Sequence, residues 1–156
     1  MPMFSGEYHH TIDDKNRLAI PSKILDKIDK ENEEKGFWIT RGLDGCLFMY
    51  TPKVWQSVVS KLEQQLSFTK KKARDFQRLF FSKAHEIPDC DQQGRILIPQ
   101  LLKELAQIQK SVVIVGVSNR IEIWNDKKWK ELESNVEASF EALAEEMFDV
   151  GASSKD

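Results

Sequence analysis

The sequence lacks most of what a membrane protein, a secreted disulfide scaffold or an enzyme requires. Its 156 residues include two cysteines, Cys46 and Cys90, and these do not have CxxC spacing. No basic, apolar, small-residue leader follows Met1, so a reducing cytoplasm is the expected compartment. No apolar run approaches the roughly 18 residues of a membrane span, which predicts a soluble protein with no membrane partner. Nucleophile-elbow, phosphate-loop and HExxH motifs are absent too. Ser82 and His85 lie close together without any of those surroundings, and catalysis is not expected.

Metal chemistry is equally poorly provided for. His9, His10, Cys46 and Cys90 are the candidate ligands, but adjacent histidines on a strand point to opposite faces and no paired ligand spacing occurs. They read as ordinary strand residues, and neither metal nor cofactor is expected. Trp38, Trp55, Trp124 and Trp129 read as core residues rather than base-stacking platforms, with Trp55 and Trp129 closing a helix against a barrel.

What the chain does have is an uneven charge and a repeat. The formal net charge is −2, yet residues 126–156 hold nine acids and four lysines, so the preceding 125 residues carry +3. Lys70, Lys71, Lys72, Arg74 and Arg78 crowd into one stretch and Glu131, Glu133, Glu137, Glu141, Glu145 and Glu146 into another; each alone reads as a solvated helix face.

The repeat is more informative. DDKNRLAIP at residues 13–21 and DQQGRILIP at 91–99 align with a single offset of 78, pairing Asp13, Arg17, Ile20 and Pro21 with Asp91, Arg95, Ile98 and Pro99. A second pair of blocks, residues 42–55 and 116–129, aligns with an offset of 74. The first copy therefore has four extra residues, most simply within the polar stretch 29–36. Two blocks in the same order mean two modules. At about 70 residues, a module is thin for an independent core, so the copies are expected to share one as a fused pseudo-dimer.

Each module reads as strand, strand, helix, strand, strand. Residues 4–12 and 17–20 predict a hairpin turning on Lys15-Asn16, and residues 85–90 and 95–98 repeat it on Gln93-Gly94; Asn and Gly tolerate the positive φ that tight two-residue turns demand. Pro21 and Pro99 suit the first position of a short helix. Strand pairs then follow, 37–40 with 46–50 and 112–117 with 120–124. Thr51-Pro52 caps a helix to about Leu66, Thr69 opens another to about Lys83, and Asp126 opens a terminal helix to about Phe148. The domain division expected is a first module over 3–55, a helical connector over 56–84, a second module over 85–129, and an acidic helix and tail over 130–156.

An arginine four residues after an aspartate can fold back across a hairpin tip and pair with it. At one exposed turn this is only a stabilising ion pair, typically under about 1 kcal/mol. Two copies that keep both residues while the residues between them vary point to a surface presented in duplicate. Arginine suits phosphate oxygens and the guanine edge.

The duplicated Asp-x-x-x-Arg phrase, with GEYHHTIDDKNR, ITRGLDGCLFMY, FFS at 80–82 and VVIVGVSNRIEIW, resembles the bacterial MraZ family over residues 3–130. The resemblance implies an α+β, β-rich fold: two AbrB-like (SpoVT-AbrB-type) swapped-hairpin modules fused into a pseudo-dimeric β-barrel with flanking helices. It further implies a ring-shaped homo-oligomer and a nucleoid-associated transcriptional regulator that binds double-stranded DNA at direct promoter repeats of a division and cell-wall gene cluster. The family's DNA-binding residues fall on Asp13, Arg17, Asp91 and Arg95, and Lys15, Asn16, Gln92 and Gln93 are expected to add contacts from the same tips. The chain departs from the family pattern at Asn16, where a glycine is common, and in its acidic tail after Trp129. A ring-forming protein-interaction scaffold or antitoxin-like module is the alternative.

Overall fold

The structure is a computed structural model and describes residues 2–31 and 34–153. Residues 1–125 form one compact unit and 126–156 a second. Part of the 29–36 stretch lies outside the described residues.

The first module contributes β1 (Glu7–Thr11), β2 (Arg17–Ala19), α1 (Ser22–Glu31), β3 (Phe37–Arg41) and β4 (Leu47–Tyr50). Helices α2 (Pro52–Gln65) and α3 (Lys71–Ser82) follow, and β5 (His85–Ile87), β6 (Arg95–Leu97), α4 (Gln100–Leu105), β7 (Ser111–Val117) and β8 (Arg120–Asn125) repeat the first pattern. The prolines sit one residue ahead of the helices rather than at their first position: Pro99 occupies the cap of α4, and the Pro21 carbonyl accepts from Ile24 N and Leu25 N at 3.0 and 3.1 Å. Helix α1 has 10 residues against 6 in α4, which accounts locally for extra length in the first copy.

The modules exchange strands. The main sheet runs β1-β7-β8-β4-β3-β5, and β2 pairs with β6 in a separate two-stranded ribbon. Strand β1 pairs with β7 from Glu7↔Val115 to Thr11↔Ser111, while β5 pairs with β3 from Phe37↔Ile87 to Ile39↔His85. The expected hairpin between β1 and β2 survives only as the Ile12↔Leu18 bridge. Strands β1 and β5 find longer partners in the other copy, β7 and β3, than β2 and β6 would offer, and more backbone groups are paired that way than in a local hairpin. The described strands do not close into a barrel; β1 and β5 end the main sheet.

The alternation of side chains along each strand separates two apolar clusters among the described residues. Leu47 and Met49 join Ile39, Ile114, Ile121 and Ile123 in a cluster that also takes Leu18, Ile20 and Ile24 from the first copy and Ile96, Ile98 and Leu102 from the second. The two copies thus share one core. Tyr50, on the other face of β4, packs with Val54, Trp55 and Phe80. Thr51 Oγ1 accepts from Val54 N at 3.3 Å and Pro52 sits in the first turn of α2, as the sequence predicts. Stacked rings tie α2 and α3 to the sheet: Trp38 on Trp55 at 5.4 Å, Trp55 on Phe80 at 5.8 Å, and Phe80 on Phe76 at 5.5 Å. Thr40, fully buried, donates its hydroxyl to the Phe80 carbonyl at 2.7 Å. Trp124 is buried as expected.

In the second unit the terminal helix is broken. Helix α5 (Asp126–Glu137) and helix α6 (Phe140–Ser153) are separated by Ala138 and Ser139. Ser139 N donates to the Val136 carbonyl and its own carbonyl accepts from Leu143 N at 2.8 Å, so a residue type favoured at helix starts opens α6. Trp129 lies in this unit.

Candidate nucleic-acid interface

The repeated phrase builds two hairpin tips with the same bonds. In the first, Asp13 N donates to the Arg17 carbonyl and Asn16 N to the Asp13 carbonyl, both at 3.0 Å. In the second, Asp91 N donates to the Arg95 carbonyl at 2.9 Å and Gly94 N to the Asp91 carbonyl at 3.0 Å. Asn16 has φ 62 and Gly94 φ 74. The turns therefore centre on Asp14-Lys15 and Gln92-Gln93, one residue earlier than the sequence reading. The left-handed residue closes a three-residue loop instead of sitting inside a two-residue one.

Each aspartate organises its tip. Asp13 Oδ1 accepts from Lys15 N at 3.0 Å and Arg17 N at 2.8 Å, and its Oδ2 accepts from Arg17 Nε at 2.7 Å. Asp91 Oδ1 accepts from Gln93 N and Arg95 N at 2.9 Å, and its Oδ2 from Arg95 Nε at 2.8 Å. These bonds favour the ionised carboxylates. The Arg17 backbone N–H contributes most to holding Asp13 below its usual range, and the Arg95 N–H does the same for Asp91. Only the arginine Nε is used in each pair, and a guanidinium carries its four other N–H donors on its terminal nitrogens.

The ribbon brings the tips together. Arg17 stands opposite Leu97 and Arg95 opposite Ala19, with buried Leu18 and Ile96 between them. Successive side chains alternate faces, so Arg17, Ala19, Arg95 and Leu97 share the face turned away from the core. Arg95 Nη1 also lies 3.8 Å from Asp13 Oδ2, which links one copy's arginine to the other's aspartate. The turn carbonyls are used across the copies as well: Ile98 N donates to Asn16 O at 2.8 Å and Ile20 N to Gly94 O at 2.9 Å.

Of the remaining expected site residues, Lys15, Gln92 and Gln93 are exposed at the tips. Asn16 is engaged inward. Its Nδ2 donates to Gln100 Oε1 at 2.8 Å, and Lys103 Nζ donates to its Oδ1 at 2.9 Å. Gln100 and Lys103 are the residues the sequence reading missed. A signal was present, because the offset of 78 pairs Asn16 with Gly94, Gln100 with Ser22 and Lys103 with Leu25. At the other tip a Cβ on Gly94 would meet Leu25 Cδ1 at 3.1 Å, so the positions that differ between the copies are those that touch.

Among the described residues no group of three or more potential ligands gathers for a metal. His9 Nε2 pairs with Glu7 Oε2 at 2.7 Å, and buried Cys46 donates its thiol to the Leu43 carbonyl at 3.2 Å. No helix among the described residues is long and apolar enough to cross a membrane.

Two copies of one module, exchanging strands around a shared core and presenting two Asp–Arg pairs on one ribbon, define a tandem-module α+β protein. The sequence model described as "MraZ protein, putative antitoxin-like" matches residues 3–79 and again residues 80–151. Proteins named transcriptional regulator MraZ are similar over nearly the whole chain. That of Moorella thermoacetica is 48% identical over 147 residues, covering 94% of this chain and 98% of that protein. That of Pediococcus pentosaceus is 47% identical over 149 residues, covering 96% and 99%, and that of Syntrophomonas wolfei is 42% identical over 149 residues with the same coverage. The chain belongs to the MraZ family.

Proposed function

We propose that this protein is a cytoplasmic, nucleoid-associated, DNA-binding transcriptional regulator that reads direct promoter repeats with its β2–β6 ribbon. The observation that carries the reading is the joining of two Asp–Arg units, 78 residues apart in sequence, on one outward ribbon face. A two-stranded ribbon fits the DNA major groove, where arginine pairs with the O6 and N7 of guanine. Asp13 and Asp91 hold Arg17 and Arg95 in place, which reduces the freedom the arginines lose on docking. Lys15, Gln92 and Gln93 add contacts from the loops, and Asn16 supports the first tip from behind.

Charge supports directed rather than bulk attraction. Asp13, Asp14, Lys15 and Arg17 cancel formally, as do Asp91 and Arg95. A single chain should therefore bind weakly, and affinity would come from several copies engaging at once. In this reading the strand exchange makes a fused swapped-hairpin pseudo-dimer with modules over 3–55 and 85–129, and copies assemble as a ring. Rotation repeats the ribbon head to tail, which suits direct repeats near one helical turn apart better than a palindrome. The regulated promoter is that of the division and cell-wall cluster containing its own gene.

The test is a titration of the full chain against DNA upstream of its gene beside a scrambled duplex, over a series of salt concentrations, with Arg17→Ala and Arg95→Ala. Sequence-preferring binding that weakens steeply with salt and collapses in both folded variants is expected. Binding indifferent to both arginines, or no promoter preference, would overturn it in favour of a protein-interaction scaffold or antitoxin-like module.

A further inference from the structure

Helix α3 and the loop between β3 and β4 enclose an open groove of about 330 Å³ lined by Arg41, Gly42, Leu43, Phe76, Leu79 and Phe80. Leu43 is 59% and Leu79 55% exposed, although both are apolar and line the same groove. The groove's own lining holds one cation and one acid, Arg41 and Asp44, whereas α3 and its ends are basic: residues 70–83 hold six lysines and arginines against one acid, Asp75. Asp75 is already engaged by Lys71 at 2.7 Å and Arg78 at 3.1 Å.

The opposite character occurs on α6. Phe140, Leu143, Ala144 and Met147 recur at helical spacing and so fall on one face; Phe140 is 68% and Met147 71% exposed. Glu141, Glu145 and Glu146 lie on the remaining surface. A helix presenting apolar anchors at i, i+3 and i+7 is the form that fills a hydrophobic groove. Both elements expose apolar side chains, and the charges of α3 and α6 are opposite.

We infer that α6 of one copy docks in the α3 groove of a second copy, its apolar face against Leu43, Phe76 and Leu79 and its glutamates toward the lysines and arginines of α3. Because the two surfaces differ, the contact is heterologous and propagates from copy to copy. The inference rests on the self-association in the reading above and on none of its DNA contacts. It gives the acidic C-terminal helix a role as the clasp between subunits.

The experiment is sedimentation velocity on full-length chains: wild type, Leu79→Asp, Leu43→Asp, Met147→Asp and Arg17→Ala, with circular dichroism to confirm folding. All the substituted side chains except Arg17 are exposed, so the fold should tolerate them. Wild type and Arg17→Ala should assemble alike. Each groove or α6 variant should associate more weakly by roughly thirtyfold or more, as loss of an interface anchor does. An equimolar mixture of Leu79→Asp and Met147→Asp should form a two-chain species and nothing larger, because one partner keeps its groove and the other its helix. A monomeric wild type, assembly unaffected by both groove variants, or a mixture that stays monomeric would overturn the inference. Loss of DNA binding in Arg17→Ala without loss of assembly keeps the two proposals separable.

Discussion

Lys103 Nζ donates to Asn16 Oδ1 at 2.9 Å across 87 positions of sequence, joining the first tip to the helix that follows the second. The same asparagine holds φ 62, so it serves the backbone and the latch at once. Substitutions separate these roles. Asn16→Ala removes both latch bonds and places a side chain in the left-handed region, for a cost of about 2 kcal/mol. Asn16→Gly loses the latch but relieves the backbone, and should cost less than about 1 kcal/mol. Urea unfolding of the two variants checks this. Equal midpoints would mean that the backbone conformation contributes nothing at this position.

The two tips should fail together in acid. Asp13 and Asp91 are held below their ordinary value of 3.8, first by the backbone N–H groups of Arg17 and Arg95. A carboxylate depressed in the folded state contributes stability above its unfolded value, and that contribution is lost as pH falls through the folded value. The window lies below 3.8, so neutral and mildly acidic solutions leave the tips intact. Carboxyl chemical shifts should titrate below the usual range for these two residues. An Asp13→Asn, Asp91→Asn chain should show a flatter acid limb in unfolding, and an unchanged limb would remove the tips from the acid response.

The thiols should be sluggish in the native state. Burial pushes Cys46 up to about 12 and Cys90 up to about 11, and the thiolate is the reactive form. Both should alkylate far more slowly at pH 8 than in urea. Cys46, the more buried, should be the slower. Rapid native labelling of Cys46 would show that the loop around the Leu43 carbonyl opens readily.

Much of this was legible in the sequence, and the reasons are specific. The offset of 78 located both Asp–Arg pairs, because a carboxylate four residues before an arginine bridges a tip through local bonds alone. Pro52 behind Thr51 announced α2 by cap chemistry in the same local way. The pairs β3 with β4 and β7 with β8 were legible, but the exchange of strands between the copies was not. Nothing in the alternation of residues 7–11 tells whether they pair with β2 or with β7, since register is chosen by long-range packing. The Asn16, Gln100 and Lys103 latch escaped for a related reason: it joins residues that the repeat makes different, whereas the repeat directs attention to those it keeps alike.

Gly42 and Gly116 are equivalent in the second repeat block, yet they should respond differently to alanine. A Cβ on Gly116 would run into the backbone of the N-terminal segment, at Ser5 N and at Phe4 C 2.8 Å away. That segment is held in place: Phe4 N donates to Ser118 O at 2.6 Å, Ser118 N returns a bond at 3.0 Å, and Gly116 N donates to Gly6 O at 2.9 Å. A Cβ on Gly42 would instead meet the Phe48 ring at 2.6 Å and the Cys46 carbonyl at 3.0 Å. The ring is a side chain that can turn at modest cost, although Arg120 lies over it at 5.0 Å. Gly116→Ala must separate two hydrogen-bonded backbones and should cost about 3 kcal/mol or more, whereas Gly42→Ala should cost about 1 to 2 kcal/mol. Urea midpoints rank the two. If Gly42→Ala were the more damaging, Phe48 would be the fixed element and the N-terminal segment the yielding one.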